Sequence, residues 1–412
     1  MASFAGNFLH GGFSALAATC YNAGQPEGNQ SNGAQTGAFR GRGNQPPAGK
    51  SDRLSNQQWD MLKIFKTKCV RTLFGLFTGV LLACPAALNV QAAQWGPITV
   101  AGREIWPGQT LRFPYGGETS FESAYLDAPV FVARGARYGP TLCITAGIHG
   151  DEINGTEIAR RAFSWIDPSN LSGTVIVFPM VNAAGVRTGN RYMQDRRDLN
   201  REFPGRSNGS VTAIVANTLF TTITRHCHYL IDLHTGSFSR SNHPQIRVSP
   251  GNPRALDIAR HFGVGIVMLS DGPPGSLRRE AGDQGIPTII YEAGEPSRFD
   301  LDQIAAGVRG IESLMAYLDM IDGAMEIEIP ESRIYVRTTW VRVPPGSGGY
   351  FFPTSELGQV VKKGDRLGTI IDPLTDRQTK IEATENGEVI GMAAAQIVLS
   401  GYALVHLGVS HR

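Results

Sequence analysis

Three features of the chain predict an α/β protein: a mixed, mostly parallel sheet with helices on both faces, followed by a smaller all-β domain. Between residues 141 and 318, short apolar runs alternate with amphipathic stretches of helical period, the pattern of strand–helix repeats. Several of those runs are continuously apolar, as strands buried on both faces must be. Beyond residue 322 the helical period disappears and Gly-punctuated, strand-like pieces take over.

A chain of 412 residues, 42% hydrophobic and 18% charged, suffices for one large core and a smaller second one. Its net charge of +2 creates no broad basic field, so nucleic acid is not an expected partner. Cys20, Cys69, Cys84, Cys143 and Cys227 show no CxxC pairing, which argues against both a cysteine zinc site and a disulfide framework. Cys143 and Cys227 read as small buried apolar residues, with a single bridge between them as the alternative.

Residues 1–60 are rich in Gly, Asn, Gln, Ser and Pro, too polar to offset the entropy of ordering, and are expected to be disordered. From Met61 the chain changes. A basic start (Lys63, Lys66, Lys68, Arg71), an apolar middle and small residues at Val90-Gln91-Ala92 form the three parts of a secretory signal. Translation is therefore expected to start at Met61 and the signal, residues 61–92, to be cleaved after Ala92. The product would be secreted or periplasmic. A retained anchor or a lipid on Cys84 are the alternatives, and membrane contact is expected only through such a segment.

Residues 93–325 read as the first folded domain. Short strand-like pieces from Trp95 to Gly135 lead into the sheet. Strands are expected at 141–147, 174–179, 229–233, 245–249, 265–269 and 287–292, and helices at 155–166, 211–225, 254–262 and 302–318. The loops 237–243 and 270–275 are left to shape specificity. Residues 326–412 read as the β-rich domain. There GQVVKKGDRLGTI and IEATENGEVIG resemble the two halves of a biotinyl/lipoyl-like barrel sandwich. The tip between them is DPLTDRQT and Lys380 falls on the next strand, so a modified carrier lysine is not expected.

The chemistry gathers where apolar strands stop. TLCITAGI ends in His149, and Glu152 follows three residues later on the turn before a helix. Carboxyl ends of strands are where open α/β sheets place their sites. An imidazole and a carboxylate at that spacing can grip one zinc ion, although a turn histidine and a first-turn acid would read the same way. Tyr229–Leu233 is a second such strand, and it stops at His234. Two histidines and one glutamate would leave the fourth position of zinc open for water, as catalytic sites require. A third apolar strand ends in Glu292, a carboxylate able to take a proton from that water. Between the ligands, residues 190–205 form a loop with Arg191, Arg196, Arg197, Asn200 and Arg201, and guanidinium forks suit carboxylates. His226 and His228 read as surface or supporting groups.

Taken together, HGDE, DLNR, LIDLHTG and the EAGE strand resemble the succinylglutamate desuccinylase/aspartoacylase family, from about Phe131 to the end. The resemblance implies a three-layer α/β/α zinc carboxypeptidase-like domain with a mixed sheet, plus a smaller C-terminal all-β barrel-sandwich-like domain. It further implies a hydrolase with one Zn2+ per chain that cuts the amide of an N-acyl amino acid or similar small amide. Position by position, His149, Glu152 and His234 match its zinc ligands, Glu292 its general base, Arg191 its oxyanion arginine, and Asn200 and Arg201 its carboxylate-binding pair. Arg196 and Arg197 lie close enough to Arg191 to compete for that role. The late tyrosine of the carboxypeptidases has no counterpart here, and the secretory signal departs from members that work inside cells. Two other readings share the ligands: a periplasmic metallo-carboxypeptidase acting on cell-wall peptides, and a non-catalytic binding module that kept the fold.

Overall fold

The computed structural model describes residues 95–115, 128–322 and 330–409. The expected disorder of residues 1–60, the start at Met61, the signal over 61–92, and the junction near 325 between the two expected domains lie outside the described residues. The strands in chain order are β1 (Ile98–Val100), β2 (Arg103–Ile105), β3 (Gln109–Pro114), β4 (Pro129–Arg134), β5 (Arg137–Ala146), β6 (Ser172–Phe178), β7 (Tyr229–His234), β8 (Arg240–Val248), β9 (Ile266–Leu269) and β10 (Thr288–Gly294). They continue as β11 (Arg333–Tyr335), β12 (Thr338–Arg342), β13 (Gly349–Pro353), β14 (Val360–Val361), β15 (Arg366–Ile371), β16 (Gln378–Glu382), β17 (Gly387–Ala393), β18 (Ile397–Val398) and β19 (Ala403–Val409). The helices are α1 (Asn154–Ser164), α2 (Ala183–Thr188), α3 (Val211–His226), α4 (Pro253–Phe262), α5 (Leu277–Asp283) and α6 (Leu301–Tyr317).

Most of the strands join one large mixed sheet, whose main path runs β12-β19-β17-β8-β10-β7-β5-β6-β4-β3. Its centre, β6, β5, β7 and β10, is parallel, and β7 and β10 are buried at every residue. Alternation along these strands feeds two cores. Leu142, Ile144, Ile231, Leu233, Ile289 and Tyr291 point to the face covered by α1, α4 and α6 through Ile158, Ile258 and Ile311. Cys143, Ile176 and Leu230 point to the other face, which α3 and α5 cover through Leu219, Ile223 and Leu277. The helices begin where side chains can satisfy free backbone N–H groups: Ser210 caps α3, Asn252 caps α4 and Asp300 caps α6.

The edge pieces expected upstream are β1 and β2, which among the described residues pair only with each other, and β3 and β4, which close one side of the large sheet. The short helices α2 and α5, six and seven residues long, were not expected from the sequence.

Cys143 and Cys227 form a disulfide with Cα atoms 5.7 Å apart, which decides between the two readings of these residues. Both are fully buried. The bond ties the middle of β5 to the residue that ends α3 just before β7, and both strands lead to the candidate site. Cys227→Ser is expected to lower the free energy of unfolding by about 2–5 kcal/mol, because the bridge restricts a long unfolded loop. Urea unfolding of the variant beside the parent checks this; coincident curves would argue against a formed bridge.

β8 departs most from the sequence expectation. It starts at Arg240 rather than near residue 245, so residues 240–243 of the expected specificity loop 237–243 are strand. The register explains why. Gly294 pairs with Asn242 and Glu292 with Gln245, so His243 and Pro244 together oppose Ala293, a bulge. A bulge tolerates proline inside a sheet, yet in sequence that proline reads as a strand stop.

One edge of β8 is shared between two strands. Residues 246–248 run parallel to β9, whereas residues 240–242 pair antiparallel with β17. The large sheet therefore runs straight into the β-rich tail, whose β16-β15-β13-β18 sheet and core of Phe351, Leu367, Ile370, Val389 and Leu407 complete it. Lys380 lies within β16 opposite Thr369, away from the β15–β16 turn.

Candidate metal centre and active site

The register of the parallel strands sets the site. Ala146 of β5 pairs with Leu233 of β7, and His234 pairs with Glu292 of β10. The three strand ends therefore finish side by side. Past β5 the chain turns through Gly147, at φ +63, and reaches His149. Gly150 lets the turn press on α2, since a Cβ there would lie 2.1 Å from the Gly185 carbonyl carbon. The Glu152 N–H donates to the His149 carbonyl at 3.2 Å, which closes the turn and brings both side chains to one side. Glu152 precedes α1 and is not a first-turn acid of that helix; Glu157 is.

One ligand atom each from His149, Glu152 and His234 lies within 4.8 Å of the others, and all three residues are buried. Glu152 Oε1 is 3.0 Å from His149 Nδ1, and Oε2 is 2.7 Å from His234 Nδ1. The far ring nitrogens are held from behind by carboxylates: His149 Nε2 by Asp198 at 3.0 Å, and His234 Nε2 by Asp232 at 2.8 Å. Thr145 Oγ1 donates to Asp232 at 2.8 Å, which fixes that carboxylate in turn. Such outer carboxylates orient metal-binding imidazoles and set which nitrogen faces the ion.

Among the described residues His149 Nδ1 is buried without a hydrogen-bond partner, although Glu152 lies beside it. An orphaned nitrogen turned toward a buried carboxylate and a second imidazole fits a divalent cation held between them.

The electrostatics follow from this packing. Burial alone would raise the Glu152 carboxyl pKa, but His149 and His234 outweigh it and hold the group well below its ordinary range. Burial disfavours the charged form of His234, and the Asp232 and Glu152 carboxylates overcome it, raising its pKa well above the usual value. His149 is raised in the same way by Glu152 and Asp198 against burial.

Arg191 closes the other side of Glu152. Its Nη1 donates to Glu152 Oε1 at 2.7 Å and to Ser237 Oγ at 3.0 Å, and its Nη2 reaches Asp198 at 3.3 Å. Arg196 and Arg197 are exposed, the first at φ +64 and the second paired with Glu202 at 3.0 Å. Only Arg191 of the three touches the ligand group.

Asn200 is buried and accepts from the Leu277 N–H at 2.8 Å, tying the loop to the start of α5 and leaving its Nδ2 as the free donor. Arg201 is exposed and donates to the Asn200 carbonyl. Glu292 sits on the same sheet face as His234. Its Oε2 accepts from Asn242 Nδ2 at 2.8 Å, and its Oε1 faces Arg247 Nη1 at 3.1 Å. His228 is structural: its Nδ1 accepts the Thr141 N–H.

Several site residues escape sequence reasoning. Asp232 is legible in principle, two positions before His234 on one strand face. Asp198 stands in the DLNR run, with nothing to mark it as a partner for His149. Asn242 and Arg247 are read as loop or strand polarity. Arg278, within LRRE, looks like part of a solvated helix, yet it is 3% exposed; its Nη2 reaches Ser270 Oγ at 3.5 Å, and its Nε and Nη1 have no hydrogen-bond partner among the described residues. Burial, with Arg247 nearby, lowers its pKa to about 10.

Comparison with known proteins agrees with this arrangement. Residues 138–318 match the family model described as the succinylglutamate desuccinylase/aspartoacylase catalytic domain. An N-alpha-acetyl-L-2,4-diaminobutyric acid deacetylase from Halomonas elongata is 25% identical, the match covering 64% of this chain and 79% of that protein. Among solved structures, a succinylglutamate desuccinylase/aspartoacylase from Rhodobacter sphaeroides superposes with a TM-score of 0.63 at 24% identity, covering 72% of this chain and 93% of that one. The product-bound ectoine utilization protein EutE (DoeB) from Ruegeria pomeroyi gives 0.65 at 21%, covering 76% and 98%. At these identities the two structures speak for the fold.

Proposed function

By its catalytic domain the chain belongs to the succinylglutamate desuccinylase/aspartoacylase family, and on that premise we propose that it is a zinc-dependent deacylase cleaving N-acyl amino acids or similar small amides. One observation carries the reading: two buried imidazoles, each backed by a carboxylate, turn their Nδ1 atoms on one buried glutamate. His149, Glu152 and His234 would hold the cation. When bound, it supplies a Lewis acid and an activated water. Glu292, aligned with His234, takes a proton and later returns it to the departing amine. Arg191 stands beside the ligand group as the cation facing the developing oxyanion. Asn200 Nδ2, Arg201 and the Nε and Nη1 of buried Arg278 offer donors for the substrate carboxylate.

Arg191→Ala is expected to lower kcat by about 10²–10³ with metal retained, the effect of losing one oxyanion donor. Steady-state kinetics checks this; an unchanged kcat would remove Arg191 from the reaction. Zinc content, combined with amine release from a panel of N-acyl amino acids set against short peptides, tests the function as a whole. Peptide cleavage alone would favour a carboxypeptidase, and zinc without turnover a binding module.

We also propose export from the cytoplasm. The Cys143–Cys227 disulfide supports it, because such bonds persist in oxidising compartments. Cell fractionation with amino-terminal sequencing tests it, and a cytoplasmic product retaining residues 61–92 would overturn it.

A further inference from the structure

Two arginines of the β-rich tail end on an acid, Arg333 on Glu388 and Arg337 on Glu385, and three others on a carbonyl or a hydroxyl: Arg342 on Gly401, Arg366 on Thr369 and Arg377 on Gly346. Arg240, the first residue of β8, does neither. Among the described residues its guanidinium has no carboxylate partner and no hydrogen bond. It is instead framed by three aromatic rings, with its central carbon 5.2 Å from the ring centre of Trp340, 5.7 Å from Phe238 and 5.8 Å from Tyr402. Rings hold a guanidinium by its face and leave its N–H edge to other partners.

The frame is built from both parts of the chain. Phe238 and Ser239 hold positive φ, at +54 each, uncommon for residues with a Cβ. The tail secures them: Tyr402 Oη donates to the Phe238 carbonyl at 2.6 Å, and the Ala394 and Ala395 N–H groups donate to the Ser239 carbonyl at 2.8 and 3.0 Å. The same loop touches the reaction centre. Ser237 Oγ donates to Glu152 at 3.2 Å, and the Phe238 ring has Arg191 at 4.9 Å as well as Arg240. A single phenyl ring thus contacts both the guanidinium beside the candidate metal group and the uncompensated one.

We infer that Arg240, set among Phe238, Trp340 and Tyr402, is a specificity-determining residue that holds a carboxylate of the substrate remote from the amide that is cut. The word substrate here rests on the deacylase reading; the anion site does not. Burial weighs most against the Arg240 charge, and Arg342, Arg191 and Arg247 add repulsion to it. An anion placed among them relieves the repulsion, and an ammonium group would add to it. The remote carboxylate can come from the acyl part or from the amino acid, and both present the same planar group to the guanidinium edge.

Calorimetric titration of the full chain with glutarate and with butyrate, its monocarboxylate counterpart, reads the site without turnover. Glutarate is expected to bind about tenfold or more tightly, the worth of one charge-assisted contact. Arg240→Gln should erase most of that preference, and Arg240→Lys should restore part of it. No preference in the parent, a preference untouched in Arg240→Gln, or equal weakening of both ligands would each overturn the assignment, the last by marking a merely structural arginine. Kinetics on N-acetylglutamate, N-glutarylalanine and N-acetylalanine then shows which side carries the group, through the kcat/KM ratio that Arg240→Gln lowers. If the zinc-loaded parent cleaves none of these amides, the deacylase reading fails, while the titration still decides the role of Arg240.

Discussion

Glu292→Gln is expected to keep its zinc and lose its turnover, with kcat lower by about 10²–10⁴, the range a positioned acid–base group contributes. The geometry isolates the effect. Glu292 is buried on β10, in register with His234 on the same face, but it is not one of the three residues whose ligand atoms converge. Asn242 and Arg247 hold its two oxygens, so its direction is set before any substrate arrives. Glutamine has the same shape and can keep part of that network; it cannot accept a proton. Metal analysis and a thermal melt establish that the variant is folded and loaded, and stopped-flow or steady-state kinetics reads kcat. A variant with parental kcat would leave the reaction without its base.

Removing a ligand should have the opposite signature. His234→Ala is expected to lose the bound cation together with activity, and excess zinc should not restore either. The imidazole lies between two buried carboxylates, 2.7 Å from Glu152 and 2.8 Å from Asp232. Its removal takes one partner from each, leaving Glu152 to Arg191, Ser237 and His149 and Asp232 to Thr145, and breaking a buried charged pair typically destabilises by about 3–5 kcal/mol. Asp232→Asn should be milder, weakening zinc affinity by about 10–100-fold, because it only orients the ring. Equilibrium dialysis against zinc, run on parent and both variants, separates these cases. Stoichiometric zinc and turnover in His234→Ala would remove that residue from the metal group.

How much of this was legible in the sequence depends on where each residue's partners come from. β7 and β10 are mostly apolar because both faces are covered, so the strands and the His234 and Glu292 they carry could be read directly, although β10 runs on to Gly294. The same holds for the turn carrying His149 and Glu152. The fusion of the β-rich tail to the main sheet could not be read, because it depends on residues 240–242 pairing with β17 across a bulge that holds Pro244. The Cys143–Cys227 bond could be named only as an alternative, because the two residues stand 84 apart and the pairing of β5 with β7 brings them together. Arg278 and Arg240 look like ordinary solvated arginines in sequence. Burial that leaves Nε and Nη1 unsatisfied among the described residues in one case, and a ring frame supplied by Trp340 and Tyr402 in the other, set them apart.

Anomalous diffraction at the zinc edge, from crystals of the protein purified with its native metal, addresses the central claim most directly. A single strong peak is expected between His149 Nδ1, the Glu152 carboxylate and His234 Nδ1, absent from crystals of His234→Ala. No peak there in a catalytically active preparation, or a peak held by other residues, would contradict the account.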